Sequence, residues 1–290
     1  MDIIKKLLIV MIYMSSSVYS ASWSPDGSKI AYSYIANPEN IYLVNADGSD
    51  PQTLLARKTR DFRPEWSADG KHLIFTSVVD GAHVISKINI DGSDYQQLTK
   101  PEQALGDPEY YHKDEWLLGF TDEPIARDII IKHTTSKITI NLTSTPNFEE
   151  KSPRWSKDGR FIFYVGKNKL DKTATDDIWQ LELATGQNRN LTNSLDINEF
   201  HPTVSYDGNN IAYIQVVNDE FQLSIFNLNS GQSQVLANGN GYAILDPHFS
   251  PDNKWISFIR TDFAEKKKGL PSINKVHIQS GEEKLVTQWK

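Results

Sequence analysis

Short runs of alternating apolar and polar residues, bounded by turn signals, fill the chain from residue 22 to its end. Residues 64–67, 72–77, 83–90 and 95–99 form one such set of four. β-Branched and aromatic residues occupy them, and no stretch sustains a helical period, so they predict strands. The whole set recurs. Trp23-Ser24-Pro25-Asp26-Gly27 returns as Trp66-Ser67-Ala68-Asp69-Gly70 and as Trp155-Ser156-Lys157-Asp158-Gly159, with worn copies starting at Tyr110, Val204 and Phe249. The steps between these six starts are 43, 44, 45, 49 and 45 residues, and 41 residues follow Phe249. Four strands in about 45 residues, six times over, predict an all-β fold: a six-bladed β-propeller of four-stranded antiparallel blades.

Two turns recur in every copy. The first carries Gly27, Gly70, Gly159 and Gly208, with Asp114 and Asn253 in the other two copies. All six suit one left-handed turn position, which glycine enters freely and Asn or Asp tolerate. The second carries Asp47-Gly48, Asp91-Gly92, Ser136-Lys137, Thr185-Gly186, Ser230-Gly231 and Ser280-Gly281, a hairpin signal. Asp47-Gly48-Ser49 and Asp91-Gly92-Ser93 echo a calcium loop but lack its closing bidentate Glu, so they read as hairpins. With strands lettered A to D from the axis outward, the A–B and C–D turns share one face of the ring. The B–C loops and the D–A crossings between blades share the other. The repeat phase gives residues 22–24 to the first inner strand and 284–288 to the last outer strand. Whole blades are therefore expected, with the ring closed by packing in which each repeat aromatic contributes about 1.5–3 kcal/mol.

The Trp-Ser-Pro-Asp-Gly motif with Ile30-Ala31-Tyr32, the segment Asn40-Ile41-Tyr42-Leu43-Val44-Asn45-Ala46-Asp47-Gly48-Ser49 and the Leu-Thr endings at Leu98-Thr99, Leu142-Thr143 and Leu191-Thr192 resemble the TolB-type propeller repeat, the WD40-like PD40 family. The resemblance covers residues 21–290. Departures are Val204 and Phe249 at the tryptophan position, and Lys113-Asp114 for Asp-Gly in the third copy. TolB itself carries an N-terminal α/β domain, and the first repeat begins too early here to leave room for one, so the expectation is an isolated TolB-like propeller. If the resemblance extends to role, it implies a bacterial envelope setting with a protein partner.

Lys5-Lys6, the apolar run of residues 7–13 and the small residues before Ser20 read as a signal peptide over residues 1–20. The run is shorter than the roughly 20 residues a membrane span needs. The expectation is a periplasmic or secreted monomer that does not insert in the membrane. Asp2, Lys5 and Lys6 carry a net +1, so their removal takes the formal charge from −7 to −8. Without a basic stripe such a chain is a poor nucleic-acid partner. It has no cysteine, which excludes disulfides, thiolate metal ligands and a cysteine nucleophile.

Irregularity gathers on the face of the D–A crossings and B–C loops. Residues 166–177 in the fourth blade and 261–274 in the sixth are stretched, and length variation on a rigid scaffold is where binding tends to reside. Each of blades two to six has a proline just before its repeat, at Pro64, Pro108, Pro153, Pro202 and Pro247, with charged residues around it. Arg63, Asp107, Glu150, Lys151, Glu199, His201, Asp246 and His248 are expected to ring one mouth of the central channel as a partner-binding site. Salt links between blades are the competing reading of each. No G-x-S-x-G elbow or cofactor motif is present, so no catalytic residue or cofactor is assigned. The leading expectation is an exported, non-catalytic binding propeller that docks a protein or peptide. The alternative is a metal-assisted carbohydrate lyase or hydrolase at the same mouth, with His201 and His248 joined by Glu199 and Asp246 as ligands.

Overall fold

The computed structural model describes residues 20–34, 40–101, 105–111, 116–121, 127–133, 135–136, 138–261 and 271–288, with the backbone alone at 34, 105–108, 110 and 111. Residues 1–19 of the leader, Asp114, Lys137 and the sixth blade's loop residues 262–270 lie outside these. The first blade holds β1 (Ser20–Trp23), β2 (Lys29–Tyr34), β3 (Asn40–Asn45) and β4 (Gln52–Leu55), and the second β5 (Asp61–Trp66), β6 (His72–Val79), β7 (Ala82–Asn89) and β8 (Gln96–Gln97). The third holds β9 (Leu105–Tyr111), β10 (Trp116–Thr121), β11 (Ile129–His133) and β12 (Thr139–Asn141), and the fourth β13 (Phe148–Trp155), β14 (Phe161–Asn168), β15 (Asp177–Glu182) and β16 (Asn188–Asn190). The fifth holds β17 (Asn198–Val204), β18 (Asn210–Val217), β19 (Glu220–Asn227) and β20 (Gln232–Asn238), and the sixth β21 (Ala243–Phe249), β22 (Trp255–Thr261), β23 (Ser272–His277) and β24 (Glu283–Gln288). Each blade is a four-stranded antiparallel meander in chain order, so the fold is the six-bladed propeller.

The repeated turn is held by its own side chains. Ser24 Oγ donates to Asp26 Oδ1 at 2.6 Å, Asp26 accepts the Ser28 amide, and Lys29 N donates back to Ser24 Oγ at 2.9 Å. The same Ser–Asp bond recurs at Ser67–Asp69, Ser156–Asp158, Ser205–Asp207 and Ser250–Asp252. Asn253 takes the glycine position with φ 56°, within the left-handed region where Gly27 sits at 71°. Hydrogen bonds to the turn hold these aspartates below the usual carboxylate range, Asp158 at about 2.

The core is a series of layers between blades. Ala31, Ile41 and Leu43 of the first blade pack on Trp66, Leu73 and Phe75 of the second, and Leu118 and Ile129 of the third on Trp155 and Ile162 of the fourth. The largest layer joins the fifth, sixth and first blades. The ring closes there without strand exchange among the described residues. Trp23 Nε1 donates to Ser257 Oγ at 2.9 Å, and Trp66 Nε1 donates to Ser22 O at 3.0 Å, so each indole reaches the preceding blade. Gly48 in the first blade lies so close to Val286 of β24 that a Cβ there would stand 2.0 Å from its carbonyl oxygen.

One local feature departs from expectation. The prolines do not end the crossings; they lie inside the inner strands, at bulges. Register shifts fall between Phe62 and Glu65, Lys151 and Arg154, Phe200 and Thr203, and Leu245 and His248. The residue before Pro64, Pro153, Pro202 and Pro247 is left-handed: Arg63 at φ 55°, Ser152 at 48°, His201 at 49° and Asp246 at 49°. Proline is tolerated in a strand at an edge or a bulge, and here it has both. The bulge turns backbone amides toward the neighbouring blade: Arg63 N donates to Ser33 Oγ, and Asp246 N donates to His201 Nδ1, both at 3.2 Å.

Candidate functional site

The bulge sorts the charged residues around each proline into two sets. Five residues before the repeat position stand Asp61, Glu150 and Glu199, all fully buried. Glu199 accepts hydrogen bonds from Thr192 Oγ1 and, at 3.2 Å, from the Ile178 amide. Glu150 accepts from Thr143 Oγ1 and Thr145 Oγ1. Thr143 and Thr192 are the Leu-Thr endings of the preceding blade, so these carboxyls bracket adjacent blades. Asp61 is held by Arg57 and Ser77. Lys151 pairs with Asp176 at 3.0 Å. Glu150 and Glu199 therefore sit between blades with their carboxyls engaged, and Lys151 is engaged within its own blade, where they were expected to ring the channel mouth. Asp107 lies on β9, and its side chain is outside the described residues.

Arg63, His201, Asp246 and His248 are brought together at the axis, with Glu65, Glu109 and Arg154. His248 Nε2 is 3.4 Å from Asp246 Oδ2 and 3.9 Å from Glu65 Oε1. Asp246 Oδ2 accepts the Ala21 amide at 3.2 Å, across the ring closure. Glu109 Oε2 accepts the Trp155 amide at 2.8 Å. Burial opposes charge throughout the cluster, and partners decide which groups keep it. Burial holds His201 neutral, at about 4, despite Asp246. Burial would lower His248 too, but the carboxylates of Asp246 and Glu65 outweigh it and raise it. Asp246 resists the upward push of burial because His248, His201 and Arg154 hold it far below the usual range. Burial raises Glu65, and it pushes Glu109 to about 7 against the pull of Arg154 and Lys157. Arg63 falls to about 10 by burial and stays charged at neutral pH.

A cavity of about 250 Å³ lies beside this cluster. Every blade contributes the residue directly before its repeat position: Ser22, Glu65, Glu109, Arg154, Thr203 and His248. Trp23, Trp66, Trp155 and Phe249 wall it, and Pro25, Ala68, Lys157 and Tyr206 of the A–B turns line it further along the chain. The cavity thus lies toward the A–B turns, the end of the inner strands opposite to the crossings where the binding mouth was expected. Lys157 is exposed and stands 4.1 Å over the Tyr206 ring. Arg154 is 8% exposed; its Nη1 donates to Pro153 O at 3.0 Å, and its Nε is buried without a hydrogen-bond partner.

The metal reading needs four ligands that the fold does not assemble. Glu199 is bound between the fourth and fifth blades, and the Asp246 amide occupies His201 Nδ1. His201 and His248 are also two positions out of phase: the counterpart of His201 in the sixth blade is Asp246. Among the described residues no three His, Asp or Glu side chains are placed to hold a metal ion.

The PD40 family model, TolB beta propeller domain, matches residues 9–174, more than half of the chain. The chain belongs to the TolB beta propeller family. It is 24% identical over 260 residues to the Tol-Pal system protein TolB of Francisella tularensis subsp. mediasiatica, covering 84% of this chain and 57% of that protein. It is 23% identical over 277 residues to dipeptidyl-peptidase 5 of Porphyromonas endodontalis, covering 75% of this chain and 40% of that enzyme. The crystal structure of TolB from Acinetobacter baumannii superimposes with a TM-score of 0.72 at 16% identity, over 91% of this chain and 62% of that one. The PD40 propeller therefore spans about half the length of these curated relatives, and the identities carry the fold, not a shared function.

From the sequence, Glu65, Glu109 and Arg154 stand out only as neighbours of the prolines. The signal that singles them out is columnar: each stands immediately before its repeat position, where Ser22, Thr203 and His248 stand in the other copies.

Proposed function

We propose that this PD40 propeller is an exported, non-catalytic binding module that takes a segment of a protein or peptide partner into the axial cavity. The observation that carries the reading is the cavity itself, to which all six blades contribute and whose aromatic walls surround charges of both signs. Apolar walls with a few convergent polar groups give a segment both area and orientation. The basic, apolar and small-residue order of residues 1–20 supports export to the periplasm or beyond. The Tol-Pal relative supports an envelope-associated partner.

A photo-crosslinking side chain placed at Tyr206, on the cavity, should give a discrete covalent adduct from an envelope extract. The same side chain at Gln234, on outer strand β20, should not. Equal labelling from both positions, or from neither, would defeat the cavity as the docking place.

A further inference from the structure

Arg154 is a sparsely bonded charge near the axis. Its guanidinium has five N–H donors, it is more than nine-tenths buried, and its described hydrogen bond goes to the adjacent Pro153 carbonyl. Nε is buried and makes none. No carboxylate among the described residues lies within ion-pair distance of it. The two acids that share the cavity feel Arg154 at longer range, while their direct contacts go to the Trp155 amide from Glu109 and to His248 from Glu65. A buried guanidinium left in this state is costly, and the unbonded Nε belongs to a fork that can give a carboxylate two parallel hydrogen bonds. Lys157 adds a second cation on the path from solvent.

We propose that Arg154 anchors a carboxylate-binding subsite, so that the segment entering the cavity presents an Asp or Glu side chain or its own C-terminal carboxylate to the Nε edge, with Lys157 guiding its approach. This rests on the peptide-docking reading above and names the chemistry that the docked segment must carry. The aromatic residues around the subsite, Trp66 and Trp155 among them, would hold the aliphatic stem of such a group. A singly charged carboxylate suits a site that already contains Glu65 and Glu109 better than a doubly charged phosphate does.

The test uses three probes on the whole purified chain: acetyl-Gly-Glu-Gly-amide, acetyl-Gly-Gln-Gly-amide, and acetyl-Gly-Gln-Gly with a free C-terminus. Binding is read from the indole ¹H–¹⁵N signals of Trp66 and Trp155. At least one acid probe should bind tenfold or more tightly than the neutral amide, and comparison of the two acids tells a side chain from a chain end. Arg154→Gln should bring acid and amide within twofold of each other without lowering the melting temperature. Should that variant fail to fold, the exposed Lys157→Glu change should still weaken the acid probe several-fold. Equal binding of acid and amide by the unmodified chain, an acid preference that survives Arg154→Gln, or an oligouronide that binds where no peptide does would each overturn the subsite. If the Tyr206 adduct forms while acid and amide bind alike, docking stands and the carboxylate subsite falls. If the adduct is also absent, the docking reading falls with it.

Discussion

Glutamates at different positions of the inner strands are put to opposite uses. Glu150 and Glu199, five residues before the repeat position, are buried between blades and receive threonine hydroxyls, with a backbone amide added at Glu199. Glu65 and Glu109, one residue before that position, face the axial cavity beside cations that are only partly matched. Between the two positions lies the bulge at the proline, which sends one set into an interface and the other to the axis. The difference teaches that charge near a channel is no guide to function until hydrogen-bond satisfaction is known. A buried polar group with all its partners is structure; one with open valence invites a ligand.

The bracket set should carry more of the stability than the axial set does. Asp61→Ala removes the acceptor for Arg57 and Ser77 and leaves a half-buried guanidinium behind. It should cost about 3 kcal/mol, the low end for breaking a buried pair because Arg57 keeps some water. Urea denaturation measures it, and a cost under about 1 kcal/mol would remove the distinction between the two sets.

The next effect is a pH dependence. Burial pushes Glu150 and Glu199 up to about 7, with hydroxyl donors opposing and Asp128 and Asp177 adding to the rise. An unfolded Glu titrates near 4.3. Between about pH 4.5 and 7 the folded chain therefore binds more protons than the unfolded one, and stability falls as pH rises through that window. The Glu150→Gln/Glu199→Gln pair does not titrate. Its deficit against the unmodified chain should thus be larger at pH 5 than at pH 8. His201, held at about 4, has the opposite sign below pH 6.5, but it is common to both proteins and cancels. A deficit that grows toward pH 8 would show that these carboxyls are ionised in the fold.

Much of this architecture was legible in the sequence. The Trp-Ser-Pro-Asp-Gly motif announces its blade because its residues act locally and separately. Ser24 and Asp26 close the turn, Gly27 takes positive φ, and Trp23 reaches the preceding blade. The Leu-Thr endings were visible as a pattern but not as brackets, since the acid that Thr192 meets is Glu199 of the next blade. What sequence could not show is the bulge. A residue before proline is biased toward extended backbone, so Arg63, His201 and Asp246 read as the ends of crossings. Their left-handed φ accompanies contacts between blades, such as the Asp246 amide on His201. Without the bulge, Glu150 and Glu65 look alike.

The smallest effect on stability sharpens the comparison most. Lys157 is exposed, and its ammonium lies over the Tyr206 ring. Exposed cation–π contacts contribute about 0.5–1 kcal/mol, so Lys157→Ala should change unfolding free energy by no more than about that amount. If the axis is a binding site, the same change should reduce peptide association, with a rate that becomes less sensitive to salt, because a rim cation acts mainly on approach. Stopped-flow association at two ionic strengths separates the cases. A stability loss comparable to that of Asp61→Ala would make Lys157 one more bracket. Near-neutral stability with slower, salt-insensitive association would leave it at the entrance of a site whose unmatched charge is Arg154.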